Sequence, residues 1–281
     1  MYRSLSLLTL GALSLGTTAC KPEEAPAEIS EPMIALFSGF DGDVETLRLA
    51  TLALETALVD IDLTATSLDD RAFTVPALTA DDLGGLTFPA DADPEGQVPV
   101  AIAGQSANTV ADSLALVGLD TQVCIESNTT VWYERAFDTD VACFTGGTCD
   151  TLETTNVVHK KSLVEFWYEL FKSYRTFDLD DGRSVMIARS WTDQTWTGVQ
   201  GANTLTLTYT LEVWLENAED ASKTDRFYAI WSAGDVGVSD GIFASLVKGG
   251  MDEGMQNADA YISGDTDCGV TPNEDDRPEG L

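Results

Sequence analysis

From Thr204 to Glu216 the chain reads TLTLTYTLEVWLE, with large apolar residues at every second position. Leu205, Leu207, Tyr209, Leu211, Val213 and Leu215 share one face, and Thr204, Thr206, Thr208, Thr210 and Glu212 share the other. This period of two, in residues that favour extended backbone, predicts a strand with one buried face. At ~3.3 Å per residue the strand would approach ~40 Å, long enough that it should bend or coil. Two earlier runs, FWYELFKSYRTFDL and RSVMIARSWTDQTW, are joined by the turn sequence DLDDGR, and DRFYAIWSA follows. Successive strands with short turns predict an antiparallel sheet.

Two stretches carry the helical period instead. Val44, Leu47, Leu54, Ala57 and Leu58 recur at helical spacing behind Asp43, a suitable N-cap. Phe243, Val247, Met251, Met255, Ala258 and Ile262 do the same in a longer stretch beginning near Ser239, with charged residues between them. Gly249, Gly250 and Gly254 weaken that helix unless they let it lie close against the sheet. Residues 61–120 read as short strands and loops. The predicted fold is α+β: a curved antiparallel sheet packed against a long C-terminal helix and one N-terminal helix, with a β-sandwich bearing peripheral helices as the alternative. Over residues 120–262 this order of elements is similar to the helix-grip fold of START-type lipid-binding domains. The resemblance implies a ligand cavity between sheet and helix.

The first twenty residues change the picture of where the chain works. Arg3 precedes an apolar stretch of roughly a dozen residues, short of the ~20 that span a bilayer. A basic head, a short apolar centre and a small-residue end predict an export signal over residues 1–19. Thr18, Ala19 and Cys20 resemble the lipobox of bacterial lipoproteins, although Thr17 stands where that class usually has an aliphatic residue. The resemblance implies lipidation at Cys20 and an exported protein held in the bacterial envelope, at the outer membrane in preference to the inner. Residues 20–38 then read as anchor and flexible tether, 39–264 as one globular domain and 265–281 as an acidic tail.

Five cysteines, Cys20, Cys124, Cys143, Cys149 and Cys268, leave one unmatched unless Cys20 carries lipid. The remaining four allow three pairings in an oxidising compartment. In CFTGGTC the two glycines can set Cys143 opposite Cys149 across a hairpin, which leaves Cys124 for Cys268. No CxxC pair is present, so zinc is disfavoured.

The 281 residues include 47 acids against 15 Lys and Arg, a net charge of −32. Such a surface repels nucleic acid, whose binding depends on cations that neutralise phosphate. It is better explained as a solvated, self-repelling shell than as a cation site. GVSDG at 237–241 matches a nucleophile elbow, but its base should follow the serine and the single histidine, His159, lies eighty residues upstream. Ser239 therefore reads as a helix N-cap and His159 as an ordinary sheet or surface residue. DADPEG at 91–96 begins like a calcium loop, yet its twelfth position is Ile102, which has no oxygens to give. No catalytic residue, metal ligand or cofactor is assigned.

All six tryptophans lie between Trp132 and Trp231. Trp167 and Trp231 read as core. Trp191 and Trp196 flank a turn, and Trp214 interrupts the polar face of its strand, so these three form the candidate binding surface. The sequence thus suggests a non-enzymatic, lipid-anchored binding or interaction module, with a membrane as partner through its lipid and a protein as candidate second partner. The alternative is carriage of a small hydrophobic ligand. A carrier needs an internal cavity of several hundred Å³, whereas an interaction module needs a filled core and an exposed apolar patch.

Overall fold

The computed structural model describes residues 27–162, 164–201, 203–266 and 273–277. The export signal and Cys20 lie outside the described residues, as does Cys268. Eight strands form one antiparallel sheet: β1 (Ala72–Phe73), β2 (Val98–Ser106), β3 (Thr130–Phe137), β4 (Thr151–Lys161), β5 (Glu165–Asp178), β6 (Ser184–Trp191), β9 (Leu207–Glu216) and β10 (Thr224–Ala233). Their order across the sheet is β1-β2-β10-β9-β6-β5-β4-β3. Two short strands, β7 (Trp196–Thr197) and β8 (Thr204–Leu205), pair separately. Helices α1 (Ala27–Ser38) and α2 (Val44–Ala57) pack with one face of the sheet. The long helix α5 (Asp240–Ile262) lies over the other, with α3 (Val110–Val117) and α4 (Val141–Thr145) at one end of that face. This is the α+β, helix-grip-like arrangement expected.

The two faces are built differently. On the α1/α2 side one continuous core joins Ile29, Met33, Leu36 and Phe37 of α1 to Leu47 and Leu54 of α2 and to Tyr209, Leu211, Val213, Phe227 and Trp231 of the sheet. Trp231 Nε1 donates to the Pro76 carbonyl at 2.8 Å, and the Tyr209 hydroxyl donates to that of Thr87 at 2.9 Å. Both polar ends are thereby satisfied inside the layer. Arg189 reaches from β6 to Asp41 at 2.6 Å with its guanidinium over Phe40. Gly84 (φ +56°) lets the segment under α1 turn tightly, since a Cβ there would stand 2.2 Å from the Ser38 carbonyl oxygen.

Several expectations are corrected. Residues 27–38 are not tether: despite Pro32 they form α1, whose Ile29, Met33, Leu36 and Phe37 are fully buried at helical spacing. Residues 61–120 contain a helix, α3, opened by a reciprocal Thr109–Asp112 cap. The run 204–216 is two strands, not one. Leu205 packs with Trp196 and Phe166, whereas Leu207 joins the α1/α2 core, because the chain changes direction at Thr206. Ser239 does occupy the N-cap position of α5, but its side chain makes no capping bond. Gly250 and Gly254 lie near Ser127 and the Ile125 carbonyl of a turn, not against the sheet.

Cys143 and Cys149 form a disulfide, though not across a hairpin. Cys143 sits in α4, and Gly147 (φ +68°) carries the chain back to Cys149. Cys124 is also disulfide-bonded. Part of the acidic tail is ordered against the sheet: the Asp276 carbonyl meets His159 Nδ1 at 2.6 Å, and Lys161 Nζ meets Asp276 Oδ1 at 2.5 Å. Among the described residues no helix is long and apolar enough to cross a membrane.

Candidate functional site

Along β9 the alternation seen in the sequence is real, but its polar face does not lie on the outer surface. All of Leu207–Leu215 is buried. Leu207, Tyr209, Leu211, Val213 and Leu215 enter the α1/α2 core, while Thr208, Glu212 and Trp214 line a cavity of about 750 Å³ beneath α5. The neighbouring strands follow the same parity. Phe166, Tyr168, Lys172 and Tyr174 of β5 and Arg226, Tyr228, Ile230 and Ser232 of β10 also face this space. Helix α5 roofs it with Phe243, Val247, Met251, Met255 and Ala258.

The apolar side chains on this face form three separate clusters around the cavity. One joins α3 and α4 to Trp214, Tyr174 and Met186; a second joins Phe166, Tyr168, Leu205 and Val236; the third sits under α5 with Val100, Ile102, Met251 and Met255. Protein interiors hold few voids larger than a water molecule. This space is partly open to solvent, so it holds water unless a ligand displaces it.

Its walls are amphipathic. Lys172 Nζ contacts Glu212 Oε1 at 2.5 Å, and both side chains are about nine-tenths buried. Burial is the largest single influence and works to lower the Lys172 pKa, but the Glu212 carboxylate together with the Tyr174, Tyr133 and Tyr228 phenols outweighs it and holds the ammonium well above its usual value. Lys160 Nζ lies 3.2 Å from Glu126 Oε2 at another part of the wall. Burial keeps the Tyr168 and Tyr228 phenols protonated, with pKa values above the ordinary range. Glu212 reinforces the effect at Tyr228. Neither hydroxyl has a hydrogen-bond partner among the described residues, so each can donate to something inside the cavity. Asp252 and Glu253 also border the space but are engaged, by Arg71 at 2.6 Å and by Asn128.

Of the three tryptophans expected at a binding surface, the structure brings only Trp214 to the cavity. Trp196 stands in the adjacent apolar cluster, edge-on to Trp167. Trp191 is on the opposite face of the sheet, stacked on Phe171. Trp231 is core, whereas Trp167 is only half-buried. His159 is buried on the outer side of β4 between Asp276 and Glu165, and Ser239 is absent from the cavity wall. Asp93 caps its own turn by accepting from the Glu95 N–H at 3.1 Å. Sequence reasoning missed Lys172, Glu212, Tyr168, Tyr228 and Arg226. Their signal was there in part, as charges and phenols at alternate positions of strands whose other positions are apolar.

No family model matches the sequence, and no curated protein matches it. Solved structures with some likeness include the STAR-related lipid transfer protein (fragment 25–204) from Xanthomonas axonopodis, at 9% identity and a TM-score of 0.41, covering 64% of this chain and 99% of that one. A START superfamily protein from Mycobacterium smegmatis is 7% identical with a TM-score of 0.34, covering 60% and 99%. The Zhui aromatase/cyclase from Streptomyces sp. R1128 is 9% identical with a TM-score of 0.37, covering 62% and 98%. At these values function has to be read from the cavity itself.

Proposed function

We propose that the chain is a non-enzymatic carrier or sensor that holds one small amphipathic molecule in the cavity between the sheet and α5. The observation that carries this reading is a partly open cavity of about 750 Å³, within the ~300–1,000 Å³ range of ligand sites and walled by apolar residues with a few convergent polar groups. Of the two readings the sequence left open, this volume favours the carrier over the interaction module. The proposed address is the envelope, with the chain lipid-anchored at Cys20. The Cys143–Cys149 disulfide and the disulfide state of Cys124 fit an oxidising compartment.

The test is an equilibrium titration of the delipidated protein with a neutral apolar fluorophore such as N-phenyl-1-naphthylamine. One saturable site per chain, with tryptophan-to-fluorophore energy transfer that falls in Trp214→Phe, is the expected result. Non-saturating, weak binding unaffected by the substitution would count against a cavity site.

A further inference from the structure

Arg226 differs from the other deeply buried arginines. Arg71 donates to two carbonyls and to Asp252. Arg135 donates to Asn156, to the carbonyls of Val117 and Leu119 at the end of α3, and to the Tyr174 hydroxyl. Arg189 has Asp41 at 2.6 Å. Arg226, with its side chain about nine-tenths buried, makes one long hydrogen bond of 3.4 Å to the Met255 carbonyl. Its nearest carboxylate oxygen is Asp259 Oδ1 at 4.0 Å, and that atom already accepts from Ser106 and Asn108. The guanidinium instead lies 5.5 Å over the Trp214 ring, at the cavity wall.

A buried cation without a hydrogen-bonded counter-charge is destabilising unless something supplies one. Burial accordingly pulls the Arg226 pKa downward, and Asp259 and Glu212 only partly offset it. The charges of the wall point the same way. Lys172 is matched by Glu212 and Lys160 by Glu126, while the wall's other carboxylates are held elsewhere, Asp252 by Arg71 and Glu253 by Asn128, which leaves Arg226 as the lining cation without a close carboxylate. A planar guanidinium fork recognises a carboxylate through two parallel N–H···O bonds. One uncompensated charge suits a monoanion and would be overmatched by a phosphate monoester dianion. The apolar roof from Phe243 to Met255 suits a hydrocarbon or aromatic body.

Resting on the reading of the cavity as a ligand site, we infer that its ligand is an amphipathic monocarboxylate, the carboxylate held by Arg226 and the apolar body lying under α5.

The experiment compares dodecanoic acid with 1-dodecanol at pH 8 as competitors of the bound neutral fluorophore. These two differ only in the headgroup. Wild-type protein should bind the acid at least tenfold more tightly than the alcohol. Arg226→Gln should abolish that preference while leaving the affinity for the alcohol within about twofold, and Arg226→Lys should keep part of it. Equal affinities in the wild type, no displacement of bound fluorophore by either competitor, or an acid preference that survives Arg226→Gln would each overturn the inference while leaving the cavity site in place. If the fluorophore itself does not bind, the cavity reading fails and this inference with it. Should Arg226→Gln not fold, the wild-type comparison and Arg226→Lys still decide.

Discussion

Lys172→Met is expected to lower folding stability by about 3–5 kcal/mol, the range for removing one partner of a buried ion pair. The substitution nearly preserves side-chain length, so the loss comes from Glu212, left buried with its 2.5 Å partner gone. Arg226 is too far to replace that contact, although its charge is felt at Glu212 and should hold the loss toward the lower end. The double variant Lys172→Met/Glu212→Leu removes both charges and should recover most of the stability. Chemical denaturation of the four proteins in the cycle would measure a coupling of at least ~2 kcal/mol. Additive single effects would mean that the pair is solvated and contributes no net coupling. The result bears on function, because a pair retained at the floor of a cavity supplies polarity that an apolar core would not need.

Filling the roof should have the largest effect on binding. Val247 and Ala258 both point from α5 into the space, so Val247→Trp/Ala258→Phe adds bulk where a ligand would lie. Overpacking is destabilising in a filled core by ~1–3 kcal/mol. In a cavity of about 750 Å³ the added rings meet space instead, and stability should hold or rise. Affinity for the neutral fluorophore should fall by more than about a hundredfold, equivalent to ~2.7 kcal/mol. A variant that unfolds shows that the space is already occupied by protein. One that binds unchanged places the fluorophore elsewhere.

The sheet and both long amphipathic helices could be read from periodicity alone. Asp43 does cap α2, with its side chain accepting from the Thr46 N–H at 3.0 Å. The function of the polar face of β9 could not be read that way. Thr208, Thr210 and Glu212 give the same alternating signal whether the face meets bulk water or a polar cavity, and only the position of α5 distinguishes the two. Helix α1 was hidden for a related reason. Pro32 and the neighbouring glutamates speak for a tether, yet Ile29, Met33, Leu36 and Phe37 already lie on one helical face, and burial against Tyr209 and Trp231 outweighs local propensity. Of the tryptophans, Trp214 was informative because it broke the polar pattern of its strand. Trp191 and Trp196 stand out in the sequence only by their place beside a turn, which does not determine the face to which a side chain belongs.

The charges of this protein fall in two places. Most of the described acids lie at the surface. Three of its cations line the cavity, where Glu212 and Glu126 balance two of them. Asp252 and Glu253 border the same space, Asp252 paired with Arg71, so the cavity wall carries both signs of charge and Arg226 is, among the described residues, its one cation without a close carboxylate.

Native mass spectrometry of the protein purified gently from its own cells tests the central claim most directly. A carrier with this cavity should be seen with one co-purifying small molecule per chain, released on collisional activation and absent from Val247→Trp/Ala258→Phe. Repeated recovery of the bare chain, or the same adduct on the filled variant, would contradict it.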